Sequence, residues 1–415
     1  MPSPPVPSPA PPRLLRALPV PPGRRALDLL PVLADALAGR SASAWHPHAE
    51  DAPPHPALRT GEALAPGEDD PGDPTAFVVA TSGSTGTPKG ALLSAGALRA
   101  SADATARRLA GPAAAAGREQ WVLALPAHHV AGLQVLLRSV RAGTEPVVVD
   151  GASGFDPAAF AAATAATTAG RLLTSLVPTQ LVRLLDAGAE ATAALTAFSA
   201  VLVGAAATPA PLLARARAAG VRVVTTYGAS ETCGGCVYDG RPLDGVDAAL
   251  EEDGRLTLTG PVVARGYRGA PAHPSFRTGP GGARTFRTDD AAALTRDAHG
   301  PLVRVTGRLD DLITTGGLKV APALVEDALA DAPGVAEVVV VGVPDPEWGE
   351  RVVAAVVPLP GAAPALEELR RSVRARLAAH AAPRQLLVLD ALPLRGPGKP
   401  DRAALRALAT GTGPR

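Results

Sequence analysis

Short apolar runs that alternate with helix-like stretches constrain this chain more than any other feature. From residue 76 onward such runs fall at 77–80, 121–125, 147–149, 200–203 and 221–224. Between them lie segments such as 178–185 and 209–219, each opened by a proline. Proline suits the first helical turn because its φ is preset and its missing N–H would have no partner there. Strand–helix alternation argues for α/β layering on mainly parallel sheet. Near residue 310 the pattern changes. Apolar runs at 338–341, 352–356 and 386–389 with an amphipathic stretch at 366–377 make a compact β-β-α-β unit. The expected fold is α/β: a large multi-layer N-terminal domain with mainly parallel sheets, plus a small α+β C-terminal domain joined by a hinge at 307–311. The expected divisions are 1–25, 26–309 and 310–415. The first is read as a disordered or extended arm, because ten prolines crowd residues 1–22 without helical periodicity. Residues 46–74, rich in proline and acid, are expected to be surface loop, with His46, His48 and His55 solvated rather than metal-bound.

Composition narrows the partners. Forty basic and 39 acidic side chains nearly cancel, which argues against nucleic acid or an anionic membrane. No apolar run approaches the roughly 20 residues of a membrane span, and no signal peptide is evident, so a soluble, cytoplasmic protein is expected. Two cysteines in 415 residues are no disulfide scaffold. The sequence leaves a homodimer open. Lysine is scarce: Lys89, Lys319 and Lys399 stand against 37 arginines. Where arginine serves nearly every positive charge, a retained lysine marks a place that needs a compact, movable ammonium.

Residues 81–90 read Thr-Ser-Gly-Ser-Thr-Gly-Thr-Pro-Lys-Gly between two extended segments. Gly83 and Gly86 let backbone N–H groups approach an anion, Ser82, Ser84 and Thr85 add hydroxyl donors, and Lys89 adds charge. That is phosphate-binding chemistry. The two glycines are too close together for the Walker spacing.

This loop resembles the signature of the adenylate-forming superfamily of acyl-CoA synthetases, and further motifs follow in the family's order. Tyr227-Gly-Ala-Ser-Glu231 resembles Y-G-x-T-E, and Arg287-Thr-Asp-Asp290 resembles R-T-G-D. Gly307-Arg-Leu-Asp-Asp311 is similar to the G-R-x-D-D hinge, and the segment 393–399 to the closing P-x-x-x-x-G-K element. The resemblance spans roughly residues 75–405 and implies a ligase that joins a carboxylate to ATP, then transfers the acyl group to a thiol. ATP, Mg²⁺ and coenzyme A are the implied cofactors and co-substrates, with a small carboxylic acid as substrate.

The resemblance assigns roles position by position. The loop from Thr81 to Lys89 would hold the β- and γ-phosphates. Ser230 would lie near the α-phosphate, and Glu231 would place Mg²⁺ and share in catalysis. Tyr227 would stack on adenine beside Gly204 and Gly228. Asp290 would bind the ribose hydroxyls, with Arg308 nearby. Lys399, on the mobile small domain, would bridge the attacking carboxylate and the α-phosphate, with Asp310 as hinge. Two positions depart from the pattern: Asp289 replaces a glycine, and Gly204-Ala205 a commoner Gly-Gly.

Pro126-Ala-His-His-Val-Ala-Gly132 is similar to the family's P-x-x-H-x-x-G, which sets His129 beside the acyl pocket and thiol channel. The segments 175–183, 201–209 and 230–239 resemble the o-succinylbenzoate-activating, menaquinone-pathway branch, in its short actinobacterial form. Its substrate carries a second carboxylate, for which Arg183 or Ser175 is the candidate anchor. Another aryl- or acyl-CoA ligase, or an adenylation enzyme loading a carrier protein, is the alternative. Cys233 and Cys236 are expected to be small pocket-lining residues, since two further zinc ligands are missing. Trp348-Gly-Glu350 resembles the family segment that abuts CoA.

Overall fold

A computed structural model describes residues 12–81, 88–110, 118–150, 154–168, 170–395 and 399–411. The chain opens with β1 (Leu14–Val20), then α1 (Leu30–Leu37), β2 (Ser43–Ala49), β3 (Thr75–Ala80), β4 (Gly90–Ser94) and α2 (Ala95–Ala110). β1, β2 and β3 pair in parallel, and β4 returns antiparallel to β3.

Two expectations fail here. Residues 14–20 are not part of a disordered arm; they form β1, which pairs with β2 from Leu14–Ser43 to Val20–Ala49. Leu15, Leu18 and Val20 are buried, and Pro19 is tolerated because β1 is the edge strand. Arg13 pins the strand's start through its Nη1 to the Thr75 carbonyl (3.0 Å) and Nη2 to those of Ser41 (2.9 Å) and Ser43 (2.8 Å). Residues 46–74 are not simply surface loop either. His46 is buried in β2 with its Nδ1 2.8 Å from the Val78 carbonyl oxygen, and Glu68 is fully buried.

The central sheet follows: β5 (Glu119–Leu123), α3 (Val130–Ala142), β6 (Val147–Val148), α4 (Pro157–Ala165), β7 (Arg171–Leu176), α5 (Pro178–Asp186), α6 (Ala189–Thr196), β8 (Ala200–Val203), α7 (Ala210–Ala218), β9 (Val223–Ala229), β10 (Gly234–Tyr238) and β11 (Arg241–Pro242). Its spatial order is β11-β10-β9-β8-β7-β5-β6. The five strands from β9 to β6 are parallel, as the alternation predicted, and β10 and β11 close the edge antiparallel. The period of two sorts side chains to opposite faces: Trp121 and Leu123 join one core, and Val122 between them joins the other. Chain direction across the sheet reverses between β5 and β7. In parallel α/β sheets such a switch point opens a crevice at the strands' carboxyl ends.

A third sheet is antiparallel, built from β12 (Asp247–Leu250), β13 (Arg255–Thr259), β14 (Phe276–Thr278), β15 (Arg284–Asp297) and β16 (Gly300–Arg308). A separate core begins with β17 (Ile313–Thr315) and β18 (Leu318–Val320). It continues through α8 (Pro322–Leu329), β19 (Val335–Asp345), β20 (Gly349–Pro358), α9 (Leu366–Arg374) and β21 (Gln385–Val388), then β22 (Leu394–Arg395), β23 (Lys399–Pro400) and α10 (Arg402–Thr410). Helix α9 carries Glu367 and Glu368 in its first turn and Arg371 and Arg374 in its last, both matched to the helix dipole. Its Leu369 and Val373, one turn apart, are fully buried. The result is the expected α/β fold with a large N-terminal and a small C-terminal domain. Among the described residues no helix is long and apolar enough to cross a membrane.

Candidate active site

The carboxyl ends of the parallel strands bring the matched motifs to one side of the sheet. His129 follows β5, Ser175 lies near the end of β7, Gly204 follows β8, and Ser230 and Glu231 follow β9. Of the loop expected to bind phosphate, Ser82, Gly83, Ser84, Thr85 and Gly86 lie outside the described residues. Its base is closed by the Thr81 N–H donating to the Lys89 carbonyl at 2.8 Å.

Glycine positions in the motifs answer to close backbone approach. A Cβ on Gly90 would come within 2.5 Å of Val78 Cγ1, and one on Gly204 within 2.2 Å of Thr226 Oγ1. At Gly132 it would meet the Pro126 carbonyl oxygen at 2.4 Å. The turn before α3, with His129 at its N-cap, therefore closes only with glycine there. The rings of His128 and His129 lie 4.2 Å apart. Ala205 has φ +67°, a left-handed conformation that explains why glycine is commoner at that position.

Glu231 sits in a 3₁₀ turn, Ser230–Thr232, and is 8% exposed. Its Oε1 accepts a 2.7 Å hydrogen bond from the hydroxyl of Tyr267. Burial and the Glu231 carboxylate push the Tyr267 phenol well up, which keeps it a donor. Lys89 approaches the same ring, its Nζ 5.0 Å from the centroid. Tyr267 belongs to no motif found in the sequence. Nothing in the run 261–268 distinguishes this tyrosine from a core aromatic; only the fold joins it to Lys89 and Glu231.

Among the residues expected to face the nucleoside, Tyr227 donates from its hydroxyl to Asp290 Oδ2 at 2.5 Å. Burial raises the Asp290 carboxyl above the ordinary carboxylate value, against the opposing effects of the Tyr227 hydrogen bond and Arg308. Asp290 and Arg308 are cross-strand partners on β15 and β16. The Arg308 Nη1 is 3.8 Å from Asp290, while its Nε and Nη2 fork onto Asp310, both at 2.7 Å. Asp289, where the family has glycine, takes Arg255 Nη1 at 2.9 Å and Arg308 Nη2 at 3.7 Å. The extra charge is thus met by two arginines.

Other candidates are distributed differently. Ser175 is buried in β7, whereas Arg183 is on the exposed side of α5, where its field reaches Glu337. Lys399 opens β23, its backbone paired with Arg395 of β22; its side chain lies outside the described residues. Lys319 is exposed on β18. The Arg384 guanidinium stacks 3.7 Å from the Trp348 ring centroid. Cys233 and Cys236 line no pocket; both are free thiols fully buried in the main core, and burial pushes Cys236 up to about 12. The Cys233 carbonyl accepts from Gln134 Nε2 (2.7 Å) and Ser101 Oγ (3.3 Å), which locks the turn carrying Glu231.

The profile of the AMP-binding enzyme family matches residues 24–268, and that of the AMP-binding enzyme C-terminal domain matches residues 324–399. This chain belongs to the AMP-binding enzyme family. Among relatives of this AMP-binding enzyme is a probable 2-succinylbenzoate–CoA ligase of Mycobacterium tuberculosis. It is 46% identical over 392 residues, covering 94% of this chain and 97% of that one. Among solved structures, the o-succinylbenzoate CoA synthetase of Bacillus subtilis with its acyl-adenylate intermediate is 29% identical, with a TM-score of 0.66, over 80% of this chain and 69% of that chain. The same synthetase in complex with ATP and magnesium ion is 25% identical at a TM-score of 0.71, covering 94% and 89%.

Proposed function

We propose that this AMP-binding enzyme is an ATP-dependent acid–thiol ligase that converts o-succinylbenzoate to its CoA thioester through an acyl-adenylate. The observation that carries the reading is the nearly end-to-end similarity to the M. tuberculosis ligase. The chemistry agrees with it. In the first half-reaction a carboxylate oxygen of the acid attacks the α-phosphorus of ATP, and the bond to pyrophosphate breaks. In the second, the CoA thiol gives up its proton to solvent, its sulfur bonds to the acyl carbon, and AMP departs with the electrons of the broken acyl–phosphate bond.

Both partners of the first step are anions, so cations and oriented donors must hold them together. Lys89, with the loop, holds the β- and γ-phosphates in this reading. Ser230 serves the α-phosphate, Tyr227, Asp290 and Arg308 serve the nucleoside, and Gly204 and Gly228 border the base. Lys399 bridges the attacking oxygen and the α-phosphate, and the small domain turns about Asp310 between half-reactions. His129 lines the route of acid and thiol. Among the described residues no group of three or more His, Cys, Asp or Glu side chains could hold a metal alone. Glu231, one buried carboxylate, suits Mg²⁺ and would hold it, and the ion would supply charge neutralisation for the phosphates.

A pyrophosphate-release assay across a panel of acids tests the reading. Release that depends on o-succinylbenzoate supports it, and release with a different acid reassigns the substrate. Production of ADP or inorganic phosphate instead would refute adenylation. The reading includes a cytoplasmic location, and light scattering decides between monomer and homodimer.

A further inference from the structure

We propose that Tyr267 is a positioning residue that fixes the phosphate-holding Lys89 and the metal-placing Glu231 at one spacing. The inference rests on the adenylation reading above, and it assigns a role to a side chain outside every matched motif.

The argument begins with the backbone. The segment 264–268 threads between β4 and the turn that bears Glu231. On one side the Ala264 N–H donates to the Glu231 carbonyl at 2.8 Å. On the other, the Leu92 N–H donates to the Gly266 carbonyl (2.9 Å), the Arg265 N–H to the Leu92 carbonyl (2.9 Å) and the Arg268 N–H to the Gly90 carbonyl (2.7 Å). Gly90 directly follows Lys89, so this strap is hydrogen-bonded to the neighbours of both functional side chains.

The side chain repeats the connection. Tyr267 is 6% exposed; its ring faces the Lys89 ammonium and its hydroxyl reaches Glu231. His273 and Phe276 pack edge-on against the same ring, each with centroids 5.0 Å away, so the ring has little freedom. Beyond it, Arg268 is buried against Glu68, anchoring the strap to the N-terminal segment. A rigid aromatic held on both sides suits the task. Lys89 and Glu231 attract each other, and direct pairing would withdraw both from phosphate and metal. The ring gives the ammonium a different partner, and its hydroxyl holds the carboxylate.

The test compares Tyr267→Phe, Tyr267→Leu and Glu231→Gln in the full-length protein. Mg²⁺ is titrated calorimetrically into the ATP complex, and pyrophosphate release is measured against Mg²⁺. Tyr267→Phe keeps the ring and should raise the Mg²⁺ requirement about ten-fold in both measurements, with Mg²⁺-free ATP binding unchanged. Tyr267→Leu should also weaken Mg²⁺-free ATP binding, by about three-fold, through loss of the ring beside Lys89. Unchanged or tighter Mg²⁺ binding in Tyr267→Phe, with Glu231→Gln shifted, overturns the role of Tyr267 and leaves the adenylation reading standing. If Glu231→Gln itself leaves the Mg²⁺ requirement unchanged, the assignment of Glu231 fails, and the positioning role fails with it.

Discussion

Arg308 presents its guanidinium to the carboxylate of Asp310 through two parallel 2.7 Å hydrogen bonds. The cation that the family pattern gives to the ribose is therefore held by the residue that the same pattern makes the hinge. If both residues serve as proposed, nucleotide and hinge would compete for one side chain. Both partners are substantially exposed, so the pair is worth little, about 1 kcal/mol at most. Asp310→Ala should free Arg308 for the nucleotide and tighten ATP binding by up to about five-fold. Equilibrium titration checks this, and weaker binding would refute the competition.

The Tyr227–Asp290 bond predicts a pH dependence. Burial raises the Asp290 carboxyl, and the Tyr227 hydrogen bond opposes that rise. If the Asp290 carboxylate holds the ribose as proposed, that recognition would be present above its pKa and lost as pH falls through it. Tyr227→Phe removes the opposing hydrogen bond, so the acid limb of kcat/KM for ATP should move to higher pH. An acid limb that stays in place, or moves down, would show that Asp290 does not govern it.

Lys399→Ala should abolish adenylate formation, by about 10²–10³-fold, while sparing thioester formation from supplied acyl-adenylate. Single-turnover assays of the two half-reactions separate these. Equal loss in both would remove Lys399 from its assigned step.

The buried Arg268–Glu68 pair predicts a stability effect. Arg268 also donates to the carbonyls of Leu58 (3.3 Å), Ala63 (2.9 Å) and Arg59 (3.2 Å), and Glu68 accepts from the Ala65 and Gly269 amides. Among the described residues, Arg268→Ala leaves the buried Glu68 carboxylate with only Arg59 at 3.9 Å and two backbone amides, and should cost about 3–5 kcal/mol, read by denaturant unfolding. A loss below about 1 kcal/mol would mean that water replaces the guanidinium without penalty.

Arg183 offers a test of the second-carboxylate anchor. If it holds that group, Arg183→Ala should raise KM for o-succinylbenzoate about ten-fold or more with kcat nearly unchanged. An unchanged KM transfers the role to Ser175 or to a residue outside both candidates.

Much of the candidate site was legible because the family's motifs keep particular groups at short chain spacing. Lys89, Glu231, Asp290 and Arg308 each stand in a compact local pattern. The α/β class was legible for a similar reason: the periods of strand and helix are local properties of the chain. Residues 14–20 misled because proline density was read as disorder, whereas an edge strand tolerates proline and Arg13 ties this one down from three carbonyls. Glu68 was invisible because its partner, Arg268, lies 200 residues further along.

The sequence by itself determined the layered α/β class and the order of the matched motifs. Only the tertiary structure decided which of their side chains meet. Periodicity and motif spacing are written within a few residues, but a contact such as Tyr267 to Glu231 is made by chain segments that approach only once separate sheets have packed.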